Sequence, residues 1–208
     1  MFTRPWEQFF KEKLLRIFEN AHEVLDIGGG LRIDATRNNR LDPHNAWIMH
    51  TIQERGITYK ILDYVDTYHP DLVGDIQALP LPDNSQEAIV CIAVLEHVEN
   101  PFKAASELYR TLKPGGYCLV YVPFLYYYHA ERGYYGDFWR YTRDSLEYLF
   151  KPFSTIEIQN VRGAFETLMR LSPLGRWQAC GDFAFLLDKL TGKLNSKQTS
   201  GYYVFLRK

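Results

Sequence analysis

The run Val24-Leu25-Asp26-Ile27-Gly28-Gly29-Gly30 limits what this chain can fold into more than any other stretch. Val24 to Ile27 reads as a short strand, apolar except for Asp26, and three glycines end it abruptly. An apolar run bounded by glycine fits a parallel strand covered on both faces. Glycine reaches positive φ at little cost and keeps a Cβ out of the way of an approaching ligand. Asp26 puts a carboxylate at the strand's C-terminal end, where open α/β sheets bind their ligands. The expectation is a small-molecule site, for a cofactor that carries a nucleoside.

Spacing narrows the choice of cofactor. A dinucleotide fingerprint needs G-x-G-x-x-G/A and an acid about 20 residues further on. Here Ile33 stands where the third glycine belongs, and the next strand-end acid, Asp63, comes much later. No Lys-Ser/Thr pair follows the glycines, which excludes a P-loop. What remains is D-x-G-x-G, at Asp26, Gly28 and Gly30.

Strand and helix signals alternate along the rest of the chain. Residues 5–19 place Trp6, Phe9, Phe10, Leu14, Ile17 and Phe18 at helical spacing, and Pro5 suits a first turn. Residues 31–45 have no helical period and many turn formers, so the helix that usually opens at the glycines is delayed to Ala46–Arg55. That loop reads as a functional insertion or as exposed filler. Tyr59–Leu62 is a second strand ending in Asp63, and 71–76 a short third one ending in an acid. Ala88–Leu95, almost wholly apolar, is the best central strand. Asn100 and Pro101 start a helix that Lys113-Pro114-Gly115-Gly116 stops before a fifth strand, Tyr117–Val122. This alternation predicts a parallel sheet in a three-layer α/β domain.

The 208 residues suffice for one substantial core. With 24 basic and 25 acidic residues the net charge is −1, which argues against broad nucleic-acid binding. Cys91, Cys118 and Cys180 form no C-x-x-C, and two of them sit in apolar strands, as buried thiols in a reducing compartment do. Neither a signal peptide nor a membrane span is evident. A cytoplasmic protein is expected.

Five features stand in order over residues 24–122: VLDIGGG, Asp63, VGDIQALPLPDNS, CIAVLEHVENP and YRTLKPGGYCLVYVPF. Together they resemble the class I S-adenosylmethionine-dependent methyltransferases, typified by ubiquinone- and menaquinone-biosynthesis enzymes. The resemblance implies a Rossmann-like three-layer sandwich with a seven-stranded, mostly parallel sheet whose last strand is antiparallel. Residues 154–161 and 201–207 fit the last two strands. The whole chain then reads as one domain: an N-terminal helix (1–20), a cofactor-binding core (21–122), an aromatic-rich cap or substrate segment (123–150), and C-terminal strands with a helical insertion (151–208).

The same resemblance implies S-adenosyl-L-methionine as cofactor and assigns roles to residues. Asp26 meets the methionine ammonium, directly or through water, or else only satisfies loop amides. Gly28 and Gly30 leave space for the ligand. Asp63 accepts both ribose hydroxyls, with Asp66 as its nearby competitor. Asp75 accepts from the adenine amine while Ile76 packs on the ring, or forms an Asx-turn. Ala93 and His97 border the cofactor, His97 by proximity and not by catalysis.

From Tyr121 to Tyr141 aromatic residues crowd together with His129, Glu131, Asp137 and Arg140. They form either a substrate pocket or an aromatic cap. Tyr126, Trp139 and Arg140 are the candidate substrate contacts, Arg140 pairing with an anionic acceptor or equally well with Asp137 or Glu131. If the acceptor needs a base, His129, Asp137 and Glu131 are candidates in that order. Gly133 and Gly136 are candidate hinges of a mobile cover over 126–141. No histidine pair stands at helical spacing, so no metal is expected. The implied activity is methyl transfer to a small-molecule or biosynthetic-intermediate acceptor, and a homodimer is compatible with it. Rival readings are a cofactor-binding regulator without chemistry and, less favoured, an aminopropyltransferase.

Overall fold

Apolar residues alternate between two faces of the central strands, and this alternation sets the layers. The computed structural model describes residues 3–33 and 42–208. One sheet contains β1 (Glu23–Ile27), β2 (Thr58–Asp63), β3 (Leu72–Val73), β4 (Gln86–Ile92), β5 (Leu112–Pro123), β6 (Thr155–Val161) and β7 (Gly201–Arg207). Their order is β3-β2-β1-β4-β5-β7-β6. Strand β1 pairs in parallel with β2 and β4, and β4 with β5, whereas β7 runs antiparallel to both β5 and β6. The helices of the described residues are α1 (Pro5–Asn20), α2 (Ala46–Arg55), α3 (Pro101–Thr111), α4 (Arg143–Leu149), α5 (Ala164–Leu171) and α6 (Gln178–Leu190).

On one face Leu25, Ile27, Ile89, Cys91, Val120 and Val204 pack with Ala105 and Leu108 of α3 and Leu146 and Leu149 of α4. On the other, Val24, Ala88, Val90, Leu119 and Phe205 pack with Leu14, Ile17 and Phe18 of α1 and Ile48 and Ile52 of α2. Each fully buried aliphatic side chain in these layers contributes roughly 1.5–3 kcal/mol. The three cysteines are unpaired, Cys91 and Cys118 being buried. Among the described residues, no helix is long and apolar enough to cross a membrane.

Several elements differ from their sequence expectation. Strand β4 ends at Ile92 instead of Leu95, because Ala93 takes a left-handed backbone (φ 57°) and Leu95–His97 close into a 3-10 turn. The third strand shrinks to two residues, since Asp75 caps a 3-10 turn by accepting from the Gln77 amide at 2.8 Å. Residues 143–149, expected as part of the cap or substrate segment, form helix α4, started by the Thr142 capping box. Most of the 31–45 insertion, residues 34–41, lies outside the described residues. At its base the Asp42 amide donates to the Arg32 carbonyl at 2.9 Å.

Candidate functional site

The sheet order reverses between β1 and β4: from β1 the chain moves outward to β2 and β3, then crosses back to β4 on the other side. Strand ends splay at such a switch point and leave a crevice for a ligand. A cleft of about 580 Å³ lies there, lined by Gly28–Gly30 after β1, Asp63 at the end of β2, Asp75 and Ile76 after β3, and Ile92 and Val94 around the end of β4. Its size is ordinary for a small-molecule site.

The glycine turn is required by its neighbours. Gly28 has φ 81°, and a Cβ there would stand 2.6 Å from Val94 Cγ2. At Gly30 a Cβ would meet the Ile92 carbonyl oxygen at 2.6 Å. These two glycines therefore make room for the end of β4, and not only for a ligand. Behind the turn Asp26 is fully buried. It accepts from the amides of Gly30 and Leu31, both at 3.2 Å, and from the Tyr59 hydroxyl at 2.5 Å. Burial lifts its carboxyl to about 7, and these hydrogen bonds offset only part of that lift. Asp26 does not line the cleft, and its hydrogen bonds are those of the reading in which it satisfies loop amides and fixes the turn.

Asp63 does line the cleft, whereas Asp66 does not. Its Oδ1 accepts from the Val65 amide at 3.3 Å, and partial burial raises its pKa. Asp75 lines the cleft while its carboxylate holds Gln77 in an Asx-turn, so both expected readings apply to one residue. Ile76 is buried beside it. Ala93 does not line the cleft, because its left-handed backbone presents Ile92 and Val94 there instead. Among the described residues of the lining, the acids Asp63, Asp75, Glu99 and Glu131 face a single arginine, Arg32, so the cleft favours a cationic ligand group. Sequence reasoning passed over Leu62, Tyr64, Val65 and Gln77. Each adjoins an expected strand-end residue, and that adjacency was the available signal.

The far wall comes from residues 131–138. Glu131, Tyr134, Tyr135, Gly136 and Phe138 line the cleft opposite the glycines, with His97 beside them. The Tyr135 hydroxyl donates to Glu131 at 3.1 Å, and the His97 and Tyr135 rings lie 4.2 Å apart. This wall is fastened to the turn after β4. The amides of Phe138 and Trp139 donate to the Glu96 carbonyl at 2.8 and 3.3 Å, Trp139 Nε1 donates to the Val98 carbonyl, and the Tyr141 hydroxyl to the Leu95 carbonyl. Gly136 is thus a poor hinge, and a Cβ there would strike the Phe138 ring at 2.5 Å.

Five candidate residues of this segment fall outside the cleft lining: Tyr126, His129, Asp137, Trp139 and Arg140. Arg140 grips Asp137 with two nitrogens at 2.5 and 2.7 Å and also donates to the Tyr127 carbonyl, which leaves little of it for a substrate. That guanidinium pulls Asp137 down to about 2, too acidic to act as a base near neutrality. Tyr126 stacks on Tyr127 at 4.2 Å. Of the candidate bases only Glu131, last in order, lines the cleft.

Just beyond the cleft Glu96, His97 and His129 converge, their ligand atoms all within 4.8 Å of one another. No sequence period joins residues 97 and 129. Glu96 is 1% exposed, and neither of its carboxylate oxygens has a hydrogen-bond partner among the described residues. The Glu96 carboxylate raises the His129 pKa, against the effect of burial.

A seven-stranded sheet in this order, with a glycine turn and strand-end acids at its switch point, is the fold of solved S-adenosylmethionine-dependent methyltransferases, to which the chain is similar. Residues 49–120 match the methyltransferase domain family. A ubiquinone/menaquinone biosynthesis C-methyltransferase from Saccharophagus degradans is 30% identical over 122 residues, covering 56% of this chain and 48% of that protein. A probable S-adenosylmethionine-dependent methyltransferase from Mycolicibacterium smegmatis is 42% identical over 50 residues, 24% of this chain and 20% of that one. The chain thus spans about half, or less, of these curated relatives. Among solved structures, a SAM-dependent methyltransferase from Archaeoglobus fulgidus aligns with TM-score 0.62 at 16% identity, covering 99% of this chain and 95% of that one. The phosphoethanolamine N-methyltransferase 2 of Haemonchus contortus, solved with S-adenosylhomocysteine, aligns with TM-score 0.55 at 16% identity, covering 94% and 52%.

Proposed function

We propose that this chain binds S-adenosyl-L-methionine in the switch-point cleft and transfers its methyl group to a small-molecule acceptor. The observation that carries the reading is the placement of Asp63 and of the Asp75–Ile76 pair, at the ends of β2 and β3, in one cleft with the Gly28–Gly30 turn. Asp63 offers two carboxylate oxygens to a ribose diol. Asp75 offers an acceptor to the adenine amine, with Ile76 as an apolar floor for the ring. The excess of acids suits a ligand with a sulfonium and an ammonium group, so the residues present fit the cofactor.

When bound, the cofactor supplies an electrophilic methyl group on sulfur. The chain's own contribution is alignment and exclusion of water. Orientation alone contributes about 7–11 kcal/mol in well-aligned systems. Tyr134, Tyr135 and Phe138 shield the cleft opposite the glycine turn. Where an acceptor must lose a proton, Glu131 is the ionisable group we assign to receive it, in place of His129 and Asp137.

Calorimetry tests this reading. S-adenosylhomocysteine should bind and NAD should not, and comparable NAD binding would overturn the assignment. Charged hydrogen bonds of this kind are worth about 1.5–3 kcal/mol, so Asp63→Ala should weaken cofactor affinity roughly ten- to hundredfold. Asp66→Ala should leave it unchanged.

A further inference from the structure

The turn after β4 gathers groups that the proposed methyl transfer does not account for. Glu96 is buried with both carboxylate oxygens unpartnered among the described residues. A buried carboxylate left unpaired carries a large desolvation cost, so something must face it. Arg140, the nearby cation, is bound to Asp137 instead.

What faces Glu96 is a pair of imidazoles. His97 Nε2 lies 3.9 Å and His129 Nε2 3.6 Å from Glu96 Oε1. Both distances are too long for a hydrogen bond. The other nitrogen of each ring settles its tautomer. His97 Nδ1 stands 2.6 Å from the Gly136 carbonyl, and His129 Nδ1 3.1 Å from the Tyr127 carbonyl. A carbonyl can only accept, so each Nδ1 carries the hydrogen, and in the neutral ring Nε2 presents a lone pair. Metal-binding histidines are oriented in this way by an outer hydrogen bond. His129 has a second outer partner, Asp137 Oδ2 at 3.3 Å.

Two lone pairs and a carboxylate therefore converge on one small space. We propose that Glu96, His97 and His129 bind a divalent transition-metal ion. Ligands bonded at about 2.0–2.2 Å to one tetrahedral ion stand roughly 3.4 Å apart, close to the 3.9 and 3.6 Å that separate the two imidazoles from Glu96. Two imidazoles and one carboxylate suit zinc, iron, cobalt or manganese better than magnesium or calcium. A proton on His129 Nε2 facing Glu96 is the competing occupant, and it would give no visible Co²⁺ absorption. The assignment concerns metal binding and stands whether or not the cleft transfers methyl groups.

The test uses the full chain, stripped with chelator and titrated with Co²⁺ and Zn²⁺ in separate runs. One equivalent of Co²⁺ should give the visible absorption of a nitrogen- and oxygen-ligated ion, and Zn²⁺ should displace it. Glu96→Gln, which removes only the buried charge, and His129→Ala should each weaken Zn²⁺ binding by more than the roughly 10–100-fold typical of losing an outer partner. His44→Ala, at an exposed histidine, should have no effect. Should Glu96→Gln fail to fold, His129→Ala carries the test alone. Wild-type affinity no tighter than that of these variants would overturn the proposal. So would ¹⁵N chemical shifts showing a proton on His129 Nε2 in excess Zn²⁺.

Discussion

Two buried carboxylates stand at the C-terminal ends of neighbouring strands, Asp26 on β1 and Glu96 in the turn after β4, and their surroundings are opposite. Asp26 accepts three hydrogen bonds, two from the backbone that it bends into the glycine turn. Glu96 accepts none at its carboxylate among the described residues, and two imidazoles face it instead. The first acid is finished by its own chain and acts as a strut. The second is completed only by a cation. A buried acid therefore reveals its role through its partners, not through its depth or its place in a motif.

The largest effect expected is at the turn that Asp26 holds. Gly30→Ala forces a Cβ against the Ile92 carbonyl oxygen, a backbone atom with little freedom to move. Overpacking of this kind costs about 1–3 kcal/mol, which lowers the melting temperature by about 2–12 °C in a chain of this size. Cofactor binding should be lost with it. An unchanged melting temperature in the Gly30→Ala variant would mean that the turn is looser than the contacts around it imply.

The two acids should respond differently to loss of charge. Asp26→Asn places an NH2 against donors and should cost about 1–3 kcal/mol, the penalty for a buried polar group left unsatisfied. In metal-free protein Glu96→Gln should be neutral or stabilising, because it removes an uncompensated charge. Denaturant titrations of both variants separate the cases, and equal losses would erase the contrast. The pH dependence sharpens it. Asp26 titrates near 7 in the fold, above its ordinary value of 3.8. Its contribution is fully present below about pH 4 and is lost as pH rises through about 7, because the unfolded chain releases that proton first. This fall in stability should be missing from Asp26→Asn.

Smallest is the effect of Tyr59→Phe, which removes one of the three donors to Asp26. A single hydrogen bond is worth about 0.5–1.5 kcal/mol. The variant should also push the Asp26 pKa higher still, measurable by carboxyl NMR.

The β1 half of the site was legible in the sequence because its signals are local. An apolar run broken by three glycines defines a strand and a turn at once, and Asp63, Asp75 and Ile76 each follow directly on a strand signal. The β4 half was not legible, because it is made by contacts distant in sequence. His129 meets His97 in a segment whose residues 138 and 139 are pinned to the Glu96 carbonyl. Arg140 read equally as an anion anchor or as a partner of Asp137 or Glu131, and the pairing with Asp137 is the one the structure shows. Ala93 stands outside the cleft lining for a backbone reason, a left-handed conformation that alanine rarely adopts. The apolar run after Gly116 likewise revealed β5, while β6 and β7 followed from the family resemblance and helices α5 and α6 stayed an undivided insertion.

The central claim is that the ends of β1, β2 and β3 together hold the nucleoside of S-adenosylmethionine. A crystal structure of the full chain with S-adenosylhomocysteine tests it most directly. The account predicts both ribose hydroxyls on the Asp63 carboxylate, adenine against Ile76, and Asp26 still bonded to the Gly30 and Leu31 amides, out of reach of the ligand. Ligand density elsewhere, or in the cleft with Asp63 turned away from the ribose, would contradict it.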